Sequence, residues 1–488
     1  MSRRQSEQES SIEKVATPTV SLQDEGTAVV QHEENVQSKH LQLPGVPQAQ
    51  LKKAIRKVDF LVLPIMTVML AFSYIDRSNM GLANVAGMSS ELKFEGYDYS
   101  ISLLVFFPGY ALAVFPSNYI LNRTKVQYWL TFVCVAFGIF TLGSGLIRNQ
   151  AGLFAMRVLL GMAEAGCYPT VISVICTWYP RHSVGKRMTI VGTGASLIAS
   201  LSGILTYVFS RINVHNYAGW RWIFILEGTI TTVIALGAFF LIDEYPEKSR
   251  FLTEEERSII VRLISQDREE QADEKLTVRL MLHILRDFKI WVFASLYMIC
   301  VVTSYGMAYF MPLILNEKMG FSGALSQVLT TPPYFYAVIL AIALTWISDR
   351  HHTRTPFIVF FAVNVIVGMA LTRWGPNTGS QYLGLFFTLG GSLINGPMII
   401  VWGQNNVPTR AARSVSSGLQ LTCGAIGGII GSTVFRSQDA PLYTPGSIVV
   451  MCCAGYIIIV STLLGLHMRK LNRLAAERQG EPAFVYTL

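Results

Sequence analysis

The sequence predicts an all-α membrane protein, with twelve transmembrane helices in two six-helix bundles. Three observations carry this expectation. Apolar runs of spanning length recur in two sets of six, with one long charged gap between the sets. Charged residues make up only 14% of the 488-residue chain, while 51% are hydrophobic. A soluble domain carries roughly 25% charged residues, so this chain has too few to cover the surfaces of a soluble protein of its length. Mean hydropathy is +0.41. The net charge of +8 is spread over loops and tails, which suits basic flanks of a membrane protein better than a nucleic-acid surface.

Residues 1–51 are rich in Gln, Glu, Ser and Val without a period and read as a disordered cytosolic tail. No n-region, apolar core and cleavage site open the chain, so no removable signal peptide is expected. Lys52, Lys53, Arg56 and Lys57 precede the first apolar run and should hold the N-terminus in the cytosol. The N-terminal bundle is placed at 52–242, with spans near 58–75, 100–120, 128–147, 151–178, 188–209 and 221–242. The gap, 243–288, is a cytosolic linker. Thr253 and Glu256 form a capping-box pattern before an amphipathic run to about Asp267, and a second amphipathic piece covers about Val278–Leu285. The C-terminal bundle is placed at 289–468, with spans near 289–314, 326–348, 356–373, 381–402, 415–435 and 446–468. Residues 469–488 form a basic cytosolic tail, and the even number of spans puts both termini on one side.

The charges inside the apolar runs carry the chemistry. Arg157 and Glu164 share the fourth run with Gly161 between them. At 100° per residue the three positions fall within about 60° of one another, on one helix face. A charge at mid-bilayer costs about 3 kcal/mol or more and faces a partner or a wet cavity. The first run ends in Tyr74-Ile-Asp76-Arg77-Ser-Asn79. Adjacent helical residues point about 100° apart, so Asp76 and Arg77 face different neighbours, unless the pair is simply interfacial. Asp76, Arg77, Arg157 and Glu164 sum to zero. An incoming carboxylate would make their pocket negative unless one carboxylate took a proton, so anion and proton would favour each other's binding. The alternative is a charge network that only holds helices together. In the second half the spans carry few ions but several aromatic and amide groups. Tyr309, Asn395 and Gln420 are the chosen contacts for the far side of a substrate, from a wider set with Tyr305, Tyr334, Tyr336 and Asn364.

Two basic turns look alike: Asn118-Tyr-Ile-Leu-Asn122-Arg123-Thr-Lys125 after the second span, and Thr345-Trp-Ile-Ser-Asp349-Arg350-His-His-Thr-Arg354 after the eighth. Equivalent places in the two halves point to an internal repeat. Arg123, Asp349, Arg350 and Arg354 are expected to act as a cytosolic latch that closes in one conformation and parts in the other. Six plus six spans, a cytosolic central loop and these turns resemble the major facilitator superfamily, whose fold is then expected. Asn118 and Asn122 replace the Gly and Asp of that family's turn.

Within the superfamily the chain is similar to the anion:cation symporters, and most to the fungal allantoate-permease-like branch. The similarity covers about 52–475. It rests on Tyr74–Asn79, on Arg157-x-x-x-Gly-x-x-Glu164-Ala-Gly-x-x-Pro169, on Trp178-Tyr179 with Arg187, and on Gly219-Trp-Arg-Trp-Ile-Phe-Ile-Leu-Glu-Gly228. It continues through Pro246, Phe251-Leu-Thr-Glu-Glu-Glu256, Trp402 with Asn405 and Asn406, and Asp439-Ala-Pro-Leu-Tyr443. The resemblance implies symport of a small organic anion with protons into the cell across the plasma membrane, the anion being a vitamin-like carboxylate or ureide such as nicotinate, pantothenate or allantoate. It implies Arg77 as the anion contact and Asp76 and Glu164 as proton-coupling groups, with Arg157 left as ligand or as tuner of Glu164. The partners expected are that anion, protons and the bilayer, with no nucleic acid and the chain as a monomer.

No enzyme is expected, because no Ser/His/Asp or Cys/His arrangement and no Walker loop is present. The proton gradient replaces any cofactor. The cysteines at 134, 167, 176, 300, 423, 452 and 453 have no CxxC spacing, and His351-His352 lacks further ligands, so no metal is expected. Gly192 and Gly194 follow no strand and do not bind a dinucleotide. Two rivals are carried: a proton-antiporting exporter of a metabolite or drug, against which residues 190–205 lack the proline usual in such fifth spans, and a transport-inactive nutrient sensor, against which the C-terminal tail is short.

Overall fold

The computed structural model describes residues 46–121, 123–212, 217–242, 246–269, 278–351, 353–407, 410–477 and Tyr486. The tail expected over 1–51 lies almost wholly outside these, as does most of the tail after 477. Among the described residues the chain is all helix, with no strand.

Each of the twelve apolar runs falls on a helix. In the first set these are α1 (Gln48–Val85), α2 (Asp98–Leu104 and Phe106–Leu121), α3 (Val126–Leu146), α4 (Gln150–Glu164 and Cys167–Trp178), α5 (Arg181–Ala199 and Ser202–Ser210) and α6 (Gly219–Leu241). The gap holds α7 (Glu254–Glu269) and α8 (Val278–Ile284). The second set is α9 (Phe288–Leu313), α10 (Gly323–His351), α11 (Thr355–Trp374), α12 (Thr378–Asn405), α13 (Arg410–Val434) and α14 (Thr444–Glu477). Among the described residues, 10 stretches are long and apolar enough to cross a membrane, and Asp98–Val114 is a shorter apolar helix. The remaining one, α13, is diluted by Ser, Thr and Gly. Large apolar side chains point outward, including Phe60, Leu112, Phe132, Phe240, Ile459 and Leu463. A soluble surface would not carry so many, and lipid is the solvent that suits them.

Three spans read as continuous are interrupted, each for a local reason. Proline lacks an N–H, and its ring clashes with the carbonyl four residues before it. Pro108 therefore frees Leu104 and breaks α2 at Val105, and Pro169 frees Ala165 and breaks α4 just after Glu164. In α5 the break at Ser200–Leu201 has no proline; there Ser200 Oγ donates to the Leu197 carbonyl at 2.6 Å and competes with the helical ladder.

The helix pairings repeat between the sets. In the first, α3 packs on α6, α2 on α4 and α1 on α5; in the second, α11 packs on α14, α10 on α12 and α9 on α13. Between the sets, α1 meets α9, while α5–α10 and α2–α13 are the two related crossings. This is the internal repeat that the two similar turns suggested.

One end of the molecule is fastened across the halves. Tyr99 OH donates to the Tyr309 carbonyl at 3.1 Å, Gln327 Nε2 to the Leu82 carbonyl at 3.1 Å, and Ser210 Oγ to Gln327 Oε1 at 3.1 Å. These groups sit where α1 and α5 finish and α10 begins, the end away from Lys52–Lys57. The close approach there requires Gly81: a Cβ on it would lie 2.4 Å from the Tyr309 carbonyl oxygen. At the other end α7 is tied to α1. Thr253 Oγ1 accepts from Glu256 N at 3.4 Å and Thr253 N donates to Glu256 Oε2 at 3.1 Å, the capping box that the sequence proposed. Lys57 Nζ donates to the same carboxylate at 2.7 Å and holds the Glu256 carboxyl below the ordinary glutamate range.

Two outcomes follow from these contacts. Because the Glu256 pKa is depressed on folding, the tie is fully present above the ordinary glutamate value of about 4.3 and is lost as pH falls through the lowered one. Glu256→Gln should raise hydrogen exchange across α7 at neutral pH to the level the native chain reaches only in acid. Gly81→Ala should cost about 1–3 kcal/mol of packing at the fastened end and raise exchange at both Leu82–Val85 and the start of α10; unchanged exchange would show that α1 and α9 are not held together there.

Candidate functional site

The four charges singled out in the sequence come together, in crossed pairs. Adjacent residues on α1 point in different directions, and each finds a partner on α4, the two partners lying about two turns apart. Asp76 faces Arg157, whose Nη1 donates to Asp76 Oδ2 at 3.0 Å. Arg77 faces Glu164, with Nη2 donating to Oε1, and Ser73 Oγ donates to the same oxygen. Arg157, left open as ligand or as tuner of Glu164, is paired with Asp76, while Arg77 and Ser73 hold Glu164. Gly161 serves packing, since a Cβ on it would lie 2.2 Å from the Phe106 carbonyl oxygen of α2. That contact lets α4 lie close enough for its charges to reach α1.

The pairs differ in exposure. The side chains of Asp76 and Arg157 are 1% and 4% exposed. Glu164 is 2% exposed, but Arg77 is 22% exposed, and its guanidinium lies 5.6 Å from the Tyr305 ring and 5.8 Å from the Tyr74 ring. Arg77 is therefore the cation of the set that another molecule can approach. Tyr305 lies on α9 of the other half, so the site spans both halves. Tyr309, one turn on, lies tilted beside Tyr305 with centroids 5.6 Å apart, next to the site.

Asn395 on α12 and Gln420 on α13 are buried, and their amide atoms have no hydrogen-bond partner among the described residues. No hydrogen bond connects them to the charges. The Asn364 amide donates to the Phe360 carbonyl of its own helix at 2.8 Å. Of the expected latch, Arg123 is exposed and lies over the Tyr119 ring of its own turn at 4.3 Å, and Arg354 is buried at the N-cap of α11. The side chains of Asp349 and Arg350 lie outside those described. A different pair occupies that end of the first half: Arg187 grips Asp59 through Nε at 2.7 Å and Nη2 at 3.2 Å, with its guanidinium 4.1 Å from the Tyr179 ring.

Sequence reasoning missed Glu227. It is a buried carboxylate in the middle of α6, and its Oε2 accepts from Asn79 Nδ2. The rule that singled out Arg157 and Glu164, an ion inside an apolar run, applies to it equally. It passed as one letter of the motif Gly219–Gly228. Arg221, near the start of α6, is also buried, with Nη2 2.8 Å from Glu91 Oε1 and Nη1 3.1 Å from the Gly145 carbonyl.

A family model described as Major Facilitator Superfamily matches residues 66–432. The chain belongs to this superfamily. Among curated proteins it is similar to the major facilitator-type transporter hxnP of Emericella nidulans, 28% identical over 441 residues that cover 88% of each chain. It is similar also to the high-affinity nicotinic acid transporter of Saccharomyces cerevisiae, 28% identical over 405 residues, 83% of this chain and 75% of that one. Among solved structures, a bacterial homologue of the human lysosomal transporter Spinster, inward-facing and unoccupied, superposes with a TM-score of 0.63 at 16% identity, covering 87% of this chain and 99% of that one. A D-xylose–proton symporter gives 0.62 at 15% identity, covering 83% and 97%. The superfamily protein is thus a multi-pass membrane transporter and not an enzyme.

The crossed pairs generate a stability test. Removing one partner of a buried ion pair costs about 3–5 kcal/mol, because the other charge is left alone. Asp76→Asn and Arg157→Gln should each lower the melting temperature of the purified transporter, and the double variant should lose less than their sum, with a coupling of about 0.5–3 kcal/mol. Additive losses would show that the two side chains do not interact.

Proposed function

We propose that this transporter carries a small organic anion into the cell together with protons, as a member of the anion:cation symporters of the allantoate-permease-like branch. The observation that carries the reading is the Arg77–Glu164 pair: a partly exposed cation at the boundary of the two halves, held by one buried carboxylate. A substrate carboxylate competes with Glu164 for Arg77. Once Arg77 turns to the substrate, Glu164 is a buried carboxylate without its cation, and taking a proton restores neutrality. Anion and proton therefore load together, which is the coupling symport requires. Asp76 is the second coupling carboxylate, and Arg157, buried against it, tunes the site rather than touching substrate.

Tyr309, Asn395 and Gln420 complete the substrate's surroundings from the second half. The two buried amides support this, since a buried polar group without a partner is costly unless something completes it. Rocking of the halves moves the site between the two sides. Arg123, Asp349, Arg350 and Arg354 gate the end opposite the Gly81 contact. The relative named as a nicotinic acid transporter supports a vitamin-like carboxylate, nicotinate first, with pantothenate and allantoate as the next candidates. The protein acts as a monomer in the plasma membrane, with both termini cytosolic and no cofactor beyond the proton gradient.

Uptake of labelled nicotinate, pantothenate and allantoate in a transport-deficient host tests the reading. At least one should accumulate, and a protonophore should abolish its accumulation. Arg77→Ala should reduce uptake at least tenfold. A Glu164→Gln, Asp76→Asn double variant that remained fully proton-driven would refute the coupling scheme. Accumulation lowered by the transporter, or no movement at all, would favour export or sensing.

A further inference from the structure

Glu227 is not used by this scheme, and its surroundings give it a role. Asp76 and Asn79 lie three residues apart on α1 and so share a face. That face meets α4 through Arg157 and α6 through Glu227. Around α1 these contacts gather three carboxylates, Asp76, Glu164 and Glu227, against two guanidinium groups, Arg77 and Arg157, while the buried Arg221 is paired with Glu91. Both cations are already committed, to Asp76 and to Glu164. Among the described residues the charged groups acting on Glu227 are Asp76 and Arg157, and its only hydrogen-bond donor is the neutral Asn79 amide.

At this point Asp76 Oδ1, Asn79 Oδ1, Glu227 Oε1 and Glu164 Oε2 are buried acceptors without a partner, against three unpartnered donors, Arg77 Nε, Arg157 Nε and the Thr231 hydroxyl. The acceptors exceed the donors by one, so one donor is missing. A proton on a carboxyl supplies that donor and removes the excess negative charge in one step. One turn along α6, Thr231 lies on the same face as Glu227, and its buried hydroxyl also lacks a partner. Thr231 lines a cavity of about 10 Å³, with Ser73, Phe137, Cys167 and Glu164, room for one water at most. Glu164 Oε2 is buried there without a partner as well.

We propose that Glu227 is a proton-binding carboxyl in its own right, protonated at neutral pH and linked to Glu164 through Thr231 along the side of α1 turned away from the other half. It rests on the symport reading only for its use in transport; the protonation is a property of the resting protein. The step is simple: a hydronium ion gives one proton to the Glu227 carboxylate, so one O–H bond forms on the carboxyl, one breaks on hydronium, and water is left.

The test uses infrared spectroscopy of the purified full chain in lipid vesicles at neutral pH, without substrate or gradient. The native protein should show a protonated-carboxyl C=O band that Glu227→Gln removes and Glu164→Gln leaves in place. Glu227→Asp, which keeps the carboxyl, should shift the band without abolishing it, and serves where the glutamine variant does not fold. Thr231→Val should also shift it, through the lost hydroxyl. A native spectrum in which no protonated-carboxyl band between about pH 5 and pH 8 responds to either change at Glu227 overturns the proposal. So does a band that disappears in Glu164→Gln alone. Neither result depends on uptake, so failure of the symport reading leaves this measurement interpretable.

Discussion

The organising interaction is the crossed pairing of α1 with α4. Two adjacent residues on one helix bind two residues seven apart on another, so neither helix can rotate or slide without separating opposite charges inside the membrane. The low dielectric raises the cost of any such separation, and α4 is seated by the contact of Gly161 with the backbone of α2. A single ion pair would fix a distance; two crossed pairs fix register and rotation together. The half of the transporter that holds the charges is therefore ordered around a constraint that is electrostatic in origin and made possible by close packing.

Within that frame the two pairs have different characters. Asp76 and Arg157 are sealed and serve as foundation. Arg77 and Glu164 sit at the boundary with Tyr305 of the second half, where one partner retains some access. A transporter needs both kinds of contact, since a site made only of sealed pairs would bind nothing and one made only of exposed pairs would not hold its shape.

The fold was almost wholly legible in the sequence because lipid imposes a simple rule, twenty or so apolar residues per crossing, and all twelve runs became helices. The capping box at Thr253 was legible because it depends on two residues three positions apart, Thr253 and Glu256. The helix breaks at Val105 and Ala165 were also encoded locally, by Pro108 and Pro169, but the length rule reads across them. Partner choice was less accessible. That Arg157 faces Asp76 rather than Glu164 depends on the rotation of α1 against α4, which no spacing within one helix specifies. Glu227 was visible as a lone ion in an apolar run, yet its significance depends on Asn79 and Asp76, 148 and 151 positions away in the chain (227 − 79 and 227 − 76). Tyr305 became part of the site only through packing between the halves.

The interruption of α4 directly beyond Glu164 makes that helix a jointed lever. Its first arm, Gln150–Glu164, carries both charges and is pinned to α1; its second arm, Cys167–Trp178, restarts after the freed backbone at Ala165, which is itself fully enclosed by protein. The fulcrum lies between the charge cluster and the far end of the helix. The ionic register at the site is therefore set by the first arm alone, and the seating of the second arm is a separate matter of its own packing.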